Sequence, residues 1–267
     1  MNRIEKKFRA LKKRKSKALI VFMTAGDPSL RKNEELIYAF EKEGVDLIEL
    51  GVPFSDPLAD GVVIQAASER ALKKKTDLRQ ILSVVKKVRL KSQIPLVLMS
   101  YLNPILAFGL ERFARAAREA GVDGLIVPDL PVEEGKAVSE AMAAQSLDLI
   151  YLLAPTSTPE RRKHIARHSR GFVYYVSLTG VTGVRKNIPD LIHQNILSAK
   201  KATRLPVCAG FGISTPQQAR EIAKTADGVI VGSAVVGELA KNQKANAAAL
   251  AHRLIHPFAR ALGKETV

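Results

Sequence analysis

Short runs of β-branched and other apolar residues alternate with stretches of helical periodicity along nearly the whole chain, separated by Gly, Pro and Asp turns. Strands are predicted over Ala18–Thr24, Asp46–Gly51, Ile94–Tyr101, Gly124–Val127, Leu147–Leu153, Phe172–Ser177, Leu205–Ala209 and Gly228–Val231. Helices are predicted between them, for example Arg31–Lys42, where Leu36, Ile37, Ala39 and Phe40 share a face, and Leu110–Ala120. Others are Glu133–Gln145, Pro159–His168, Pro189–Ala202 and Pro216–Thr225, with two, Val62–Lys74 and Leu78–Arg89, in the gap after the second strand. Strands alternating with helices imply right-handed parallel crossovers. Eight such units in about 250 residues suit a closed (β/α)8 TIM barrel of the α/β class better than an open sheet. No Pro- or Ser-rich linker divides the chain, so a single barrel domain is expected over residues 1–267. An N-terminal helix would precede the barrel, and extra short helices would follow strands two and eight.

A near-repeat supports this reading. Gly44-Val45-Asp46-Leu47-Ile48 returns as Gly121-Val122-Asp123-Gly124-Leu125-Ile126 and as Ala226-Asp227-Gly228-Val229-Ile230. Each puts an Asp just before an apolar strand, as expected where helices cover one side and the barrel interior the other. It marks the N-terminal ends of strands and carries no chemistry by itself.

In such a barrel the chemistry belongs at the C-terminal ends of the strands. Strand two ends Asp46-Leu47-Ile48-Glu49-Leu50-Gly51, and alternation puts Ile48 and Leu50 on one face and Leu47, Glu49 and Gly51 on the other. The apolar face suits the helix layer, which directs Glu49 into the barrel mouth, although a solvent-exposed or ion-paired strand-end Glu fits the same pattern. Asp60 follows in a loop stiffened by Pro53 and Pro57. It suits either an N-cap for the helix starting near Val62 or a second carboxylate facing Glu49.

Charge sharpens the contrast. The chain has 42 Lys and Arg against 26 Asp and Glu, a net charge of +16, yet the 27 residues between Lys42 and Arg70 contain neither Lys nor Arg. Glu43, Asp46, Glu49, Asp56, Asp60 and Glu69 all lie there. Carboxylates without neighbouring cations in so basic a protein are the first candidates for proton transfer. The positive residues themselves are spread over polar helix faces, and aromatics make up 5% with no Trp. Base-stacking platforms for nucleic acid are therefore not expected. Cys208 is the only cysteine, which excludes an internal disulfide framework. No metal site is expected either, because His164, His168, His193, His252 and His256 lie on helical segments without paired ligand spacing toward the strand ends. The Ala18–Met23 run is too short for a signal peptide or a membrane span, which fits a cytoplasmic protein.

Glycine forms a second constellation. Ser177–Gly183 follows strand six, Ala209–Ser214 strand seven, and Val231-Gly232-Ser233-Ala234 strand eight, where a helical stretch opens. Backbone amides reach a phosphate where no Cβ intervenes, and a helix N-terminus adds a favourable dipole. Phe22 and Tyr174 suit an apolar pocket or the core.

The segments FMTAGDP (Phe22–Pro28), DLIELGVPFSDPLADG (Asp46–Gly61), LMSYLNP (Leu98–Pro104), VPDLPVEE (Val127–Glu134), APT (Ala154–Thr156), YYVSLTGVTG (Tyr174–Gly183), GFGIS (Gly210–Ser214) and GSA (Gly232–Ala234) stand in that order. Together they resemble the tryptophan synthase α-subunit family from about Phe8 to Leu262. The resemblance implies a lyase that cleaves indole-3-glycerol phosphate to indole and glyceraldehyde 3-phosphate in a retro-aldol reaction, for tryptophan biosynthesis. It implies Glu49 as general acid–base, Asp60 stabilising positive charge at the indole N–H, and Thr182 closing over Asp60. Phe22, Met99, Ile126, Leu152 and Tyr174 would hold the indole. Gly183, Gly212, Gly232 and Ser233 would bind phosphate, with Gly210 and Phe211 shaping the turn. The loop at Asp56-Pro57 and the Asn103-Pro104 turn would meet a β subunit in an α2β2 complex. No cofactor is implied in this chain; pyridoxal phosphate would belong to the β subunit. Val62 stands where the family commonly has Pro, which implies a looser helix start, and Met99 stands for a more usual Leu. Three other readings are a lyase that frees indole without a partner, a catalytically silent barrel subunit, and a nucleic-acid binder.

Overall fold

The computed structural model describes residues 2–176, 190–210 and 212–264. Each apolar run takes up the extended form because both of its faces are covered. β1 (Ala18–Thr24) and β2 (Leu47–Gly51) are buried at every position. They are followed by β3 (Leu96–Met99), β4 (Gly124–Ile126), β5 (Asp148–Ile150), β6 (Leu152–Leu153), β7 (Val173–Val176), β8 (Val207–Gly210) and β9 (Gly228–Val231). All pair in parallel, in the order β5-β4-β3-β2-β1-β9-β8-β7-β6. The two ends of this sheet, β5 and β6, are halves of the one predicted strand Leu147–Leu153, separated by Tyr151. The eight expected units are therefore present and the barrel is nearly closed, with its seam inside the fifth unit. Across that seam Tyr174 N donates to Tyr151 O at 3.2 Å.

Side chains alternate as the pleat requires. Leu19, Val21, Met23, Ile48 and Leu50 face the helices, while Ala18, Ile20, Leu47, Val97, Ile126, Ile150 and Ile230 fill the barrel. Helix α1 (Arg3–Lys13) inserts Ile4, Phe8 and Leu11 into the lower end of this inner cluster, with the Phe8 ring 5.8 Å from that of Phe172. Around the barrel lie α2 (Leu30–Lys42), α3 (Val62–Lys73), α4 (Leu78–Val88), α5 (Leu102–Phe108), α6 (Leu110–Ala120), α7 (Lys136–Ala144), α8 (Pro159–His168), α9 (Asp190–Ala202), α10 (Pro216–Ala223), α11 (Ser233–Lys241) and α12 (Ala247–Ala261). The extra helices are α3 after strand two and α11 after the last strand, as expected. A further one, α5, corrects the reading of Asn103-Pro104 as a turn. Both residues sit in its first turn, where a proline's missing N–H costs nothing. No described helix is long and apolar enough to cross a membrane.

The near-repeats turn out to be fasteners. Asp46 Oδ2 accepts from Leu19 N at 2.8 Å, Asp123 Oδ2 from Leu96 N at 2.9 Å, and Asp227 Oδ2 from Val207 N at 3.0 Å. The N–H of each Asp donates back to the carbonyl of that same residue, at 2.8, 2.9 and 2.8 Å. An Asp ahead of one strand thus grips the start of the strand before it and sets the register. Cations from distant segments neutralise these carboxylates: Lys7 and Lys264 at Asp46, Arg3 and Arg89 at Asp123, Lys200 at Asp227. Part of the positive excess is used here.

Two stability predictions follow from these contacts. Asp123 is 1% exposed and bonds Arg3 at 3.0 Å and Arg89 at 2.8 Å. Asp123→Ala leaves the buried Arg89 guanidinium unpaired and should cost about 3–5 kcal/mol in urea unfolding. Val62 is the first residue of α3, and Gly61 before it is extended at φ −76°, ψ 163°, the conformation that a residue preceding proline prefers. Despite the valine, the helix begins where expected. Val62→Pro should raise stability by about 0.4–1 kcal/mol, since it restricts the unfolded chain without removing a helical hydrogen bond.

Candidate active site

Glu49 is the central residue of β2, between Phe22 of β1 and Val97 of β3 in register. Its side chain points into the barrel with Leu47, as the alternation predicts, and is 0% exposed. Neither carboxylate oxygen has a hydrogen-bond partner among the described residues, and none of the ion pairs among them includes Glu49. Desolvation alone therefore acts on it and pushes its pKa from 4.5 up to about 8. The exposed or ion-paired alternative for this residue is set aside.

Asp60 approaches from the loop after β2. The N-cap of α3 is Gly61, with no side-chain hydrogen bond at the cap, so Asp60 does not cap the helix. Its Oδ2 instead accepts from the Tyr101 hydroxyl at 3.1 Å, and the same hydroxyl oxygen accepts from Ala59 N at 2.9 Å. Burial raises the Asp60 pKa to about 6, against the lowering effect of the Tyr101 bond. The Phe54 ring lies 5.3 Å from that of Tyr101, so one tyrosine holds the loop by its face and by its hydroxyl. Tyr101 was not singled out in the sequence. Its place at the end of the third predicted strand was the only signal available.

Asp60, Phe22, Met99, Thr24 and Tyr101 line one cleft at the barrel mouth. Thr24 Oγ1 is buried there without a partner among the described residues, a second polar atom missed in the sequence. Ile126 and Tyr174 lie in the inner cluster, against which Leu152 and Met99 pack. Coulombic coupling to both Glu49 and Asp60 adds to the burial that holds the Tyr174 hydroxyl well above its ordinary pKa. Small residues make room for the rings. A Cβ on Gly51 would lie 2.5 Å from the Phe22 ring, and one on Gly210 would lie 2.6 Å from the Tyr174 hydroxyl.

Of the glycine constellation, Gly210 ends β8, Gly212 has φ +52°, and Gly232 is the N-cap of α11 with Ser233, exposed, as its first residue. That cap makes no side-chain hydrogen bond, and the first-turn amides and dipole of α11 face the rim beside Phe22. Thr182, Gly183 and Phe211 lie outside the described residues. Asp56, Pro57, Asn103 and Pro104 lie apart from the cleft, on an outer surface. Asp56 and Asn103 border one depression there with Phe54 and Leu58, and Leu58 is 92% exposed.

The profile of the family described as tryptophan synthase alpha chain matches residues 8–262. The chain belongs to this family. It is 52% identical over 245 residues to the tryptophan synthase alpha chain of Citrifermentans bemidjiense, covering 92% of each, and 52% identical over 236 residues to that of Geobacter sulfurreducens, covering 88% of this chain and 89% of the relative. A crystal structure of tryptophan synthase subunit alpha from Legionella pneumophila superposes with a TM-score of 0.92 at 39% identity, over 98% of this chain and 99% of that one. As a member of this family, the chain has the TIM-barrel fold of its relatives and a place in tryptophan biosynthesis.

The buried carboxyl predicts a pH signature for stability. With a pKa of 4.5 unfolded and about 8 folded, the protonated Glu49 contributes fully below pH 4.5, and that contribution is lost as pH rises to about 8. Glu49→Gln should therefore gain stability over the parent by about 1.4 kcal/mol for each pH unit within that window. Denaturant unfolding at pH 4, 6 and 8 measures the gain, and an advantage that does not change with pH would contradict the buried neutral carboxyl.

Proposed function

We propose that the chain cleaves indole-3-glycerol phosphate to indole and glyceraldehyde 3-phosphate, with Glu49 and Asp60 as the two catalytic carboxyl groups. The observation that carries the reading is the fully buried Glu49 in the middle of β2, unpartnered among the described residues, with a second, less perturbed carboxyl in the cleft above it. An indole anion is a poor leaving group, so ring carbon C3 must gain a proton as the carbon–carbon bond breaks, and the adjacent side-chain hydroxyl must lose one to become an aldehyde. A carboxyl with a pKa near 8 is protonated at neutral pH and can do both, first as acid and then as base. Asp60, with a pKa near 6, is ionised at the same pH and stabilises the positive charge developing at the indole N–H. Two carboxyls pushed to different ionisation states divide the two tasks, and the ring itself accepts the electrons.

Phe22, Met99, Ile126, Leu152 and Tyr174 supply the apolar walls for the ring. The start of α11 at Gly232 and Ser233, with Gly210, Gly212, Gly183 and Phe211, receives the phosphate on main-chain amides, and Thr182 closes over Asp60. The surface of Asp56, Pro57, Asn103 and Pro104 docks a β subunit, and indole passes to that partner's pyridoxal phosphate in an α2β2 assembly. The exposed Leu58 and Leu106 suit such a contact. A partner seated there bears on Asp60 through Tyr101, which caps α5 and holds the catalytic loop at once.

Supplying indole-3-glycerol phosphate with and without a β subunit and serine tests the assignment. Glu49→Gln should lower kcat by about 10²–10⁴-fold while substrate binding persists. Turnover like that of the parent would reject the role. The pH dependence of kcat/KM should be bell-shaped, with limbs near 6, where Asp60 gains its proton, and 8, where Glu49 loses its own.

A further inference from the structure

We propose that Glu43, His252 and His256 form a site for a divalent transition-metal ion of the Zn2+ type on the outer helical layer, clasping α12 to the end of α2. His252 and His256 are four residues apart on α12, one helical turn, with ring centroids 4.5 Å apart. Glu43 is the C-cap of α2 and reaches the same point from 209 residues away in the chain. His252 Nδ1 lies 3.1 Å from Glu43 Oε1, and His256 Nδ1 lies 3.4 Å from Oε2. One donor atom from each of the three residues falls within 4.8 Å of the others.

The spacing is that of a coordination shell. Around a tetrahedral Zn2+ with bonds of about 2.0–2.2 Å, neighbouring donors stand about 3.3–3.5 Å apart, so the pairs with Glu43 need only small adjustments. Two imidazoles and a carboxylate form a borderline donor set that suits Zn2+, Cu2+ or Ni2+ over Mg2+ or Ca2+. The carboxylate lies at the C-terminal end of α2, where the helix carbonyls add negative potential that favours a cation. Lys264, near this end of α2, has its ammonium bonded to Asp46. The Glu43 and His256 side chains are mostly buried at 18% and 27% exposure, whereas His252 is 64% exposed, which leaves the fourth position open to water. A metal bound at both Nδ1 atoms requires each ring to carry its single proton on Nε2. The histidines on α8 make a contrast: His164 and His168 are also four apart, but His168 Nδ1 turns to the His164 carbonyl at 2.9 Å and no acid among the described residues joins them in a three-residue cluster.

Titrating ZnCl2 into the full chain, free of any polyhistidine tag, by calorimetry tests the site. The expected result is one Zn2+ per chain, with a higher unfolding temperature that a chelator reverses. His252→Ala should weaken binding at least about tenfold, as loss of one of three ligands does, and His252→Ala/His256→Ala should abolish it. His164→Ala/His168→Ala should bind as the parent does. His252 is exposed enough that its replacement leaves the fold intact, and Co2+ provides a second readout through a ligand-field spectrum that disappears in the double variant. No stoichiometric uptake by the parent, or unchanged affinity in His252→Ala/His256→Ala, would overturn the proposal.

Discussion

Keeping a fully buried carboxyl group inside the barrel, with no counter-charge among the described residues, is the constraint from which the site follows. Ionising such a group forfeits hydration that nothing in the interior replaces, so the proton stays on to a pH where surface carboxylates are long ionised. The chain has cations to spare, and it places them elsewhere. Asp46 and Asp123, also on strand-flanking positions and nearly as buried, receive lysines and arginines. Glu49, three residues beyond Asp46, receives none among the described residues, and the difference between a structural and a reactive acid lies in that allocation.

The allocation also divides the barrel into two ends. At the N-terminal end, carboxylates grip backbone amides of the preceding strands and are themselves gripped by cations, so register and closure are settled there. At the other end β2 and β8 stop in glycines, and polar atoms such as Thr24 Oγ1 and the Glu49 oxygens are left unmatched by described residues. A rigid base permits an incompletely satisfied mouth, and unsatisfied groups are what a substrate can answer.

Much of this was legible along the chain. Strict alternation across Leu47, Ile48, Glu49 and Leu50 was enough to direct Glu49 inward, because an apolar pair on one face has only the helix layer to meet. The 27-residue gap in basic residues singled out six acids but could not separate them. Glu43 and Asp46 find cationic or imidazole partners more than 200 residues away, and such pairings leave no local trace. The break at Tyr151 was invisible since the run stays apolar through it. Asn103-Pro104 read as a turn because proline punctuates chains, although it is equally at home in a first helical turn. Asp60 stayed ambiguous until Tyr101 came to it, across a separation of 41 residues.

Helix α1 leaves the ribosome before any of the surface that receives it. Its apolar stripe of Ile4, Phe8 and Leu11 rests on Phe172 and the inner cluster, while Asn2 bonds Asp148. Strand β1 then waits for β9, more than 200 residues downstream, to complete its pairing. The nascent protein thus carries its own stopper for most of synthesis with nowhere to seat it, and the stopper goes in when the vessel is almost built.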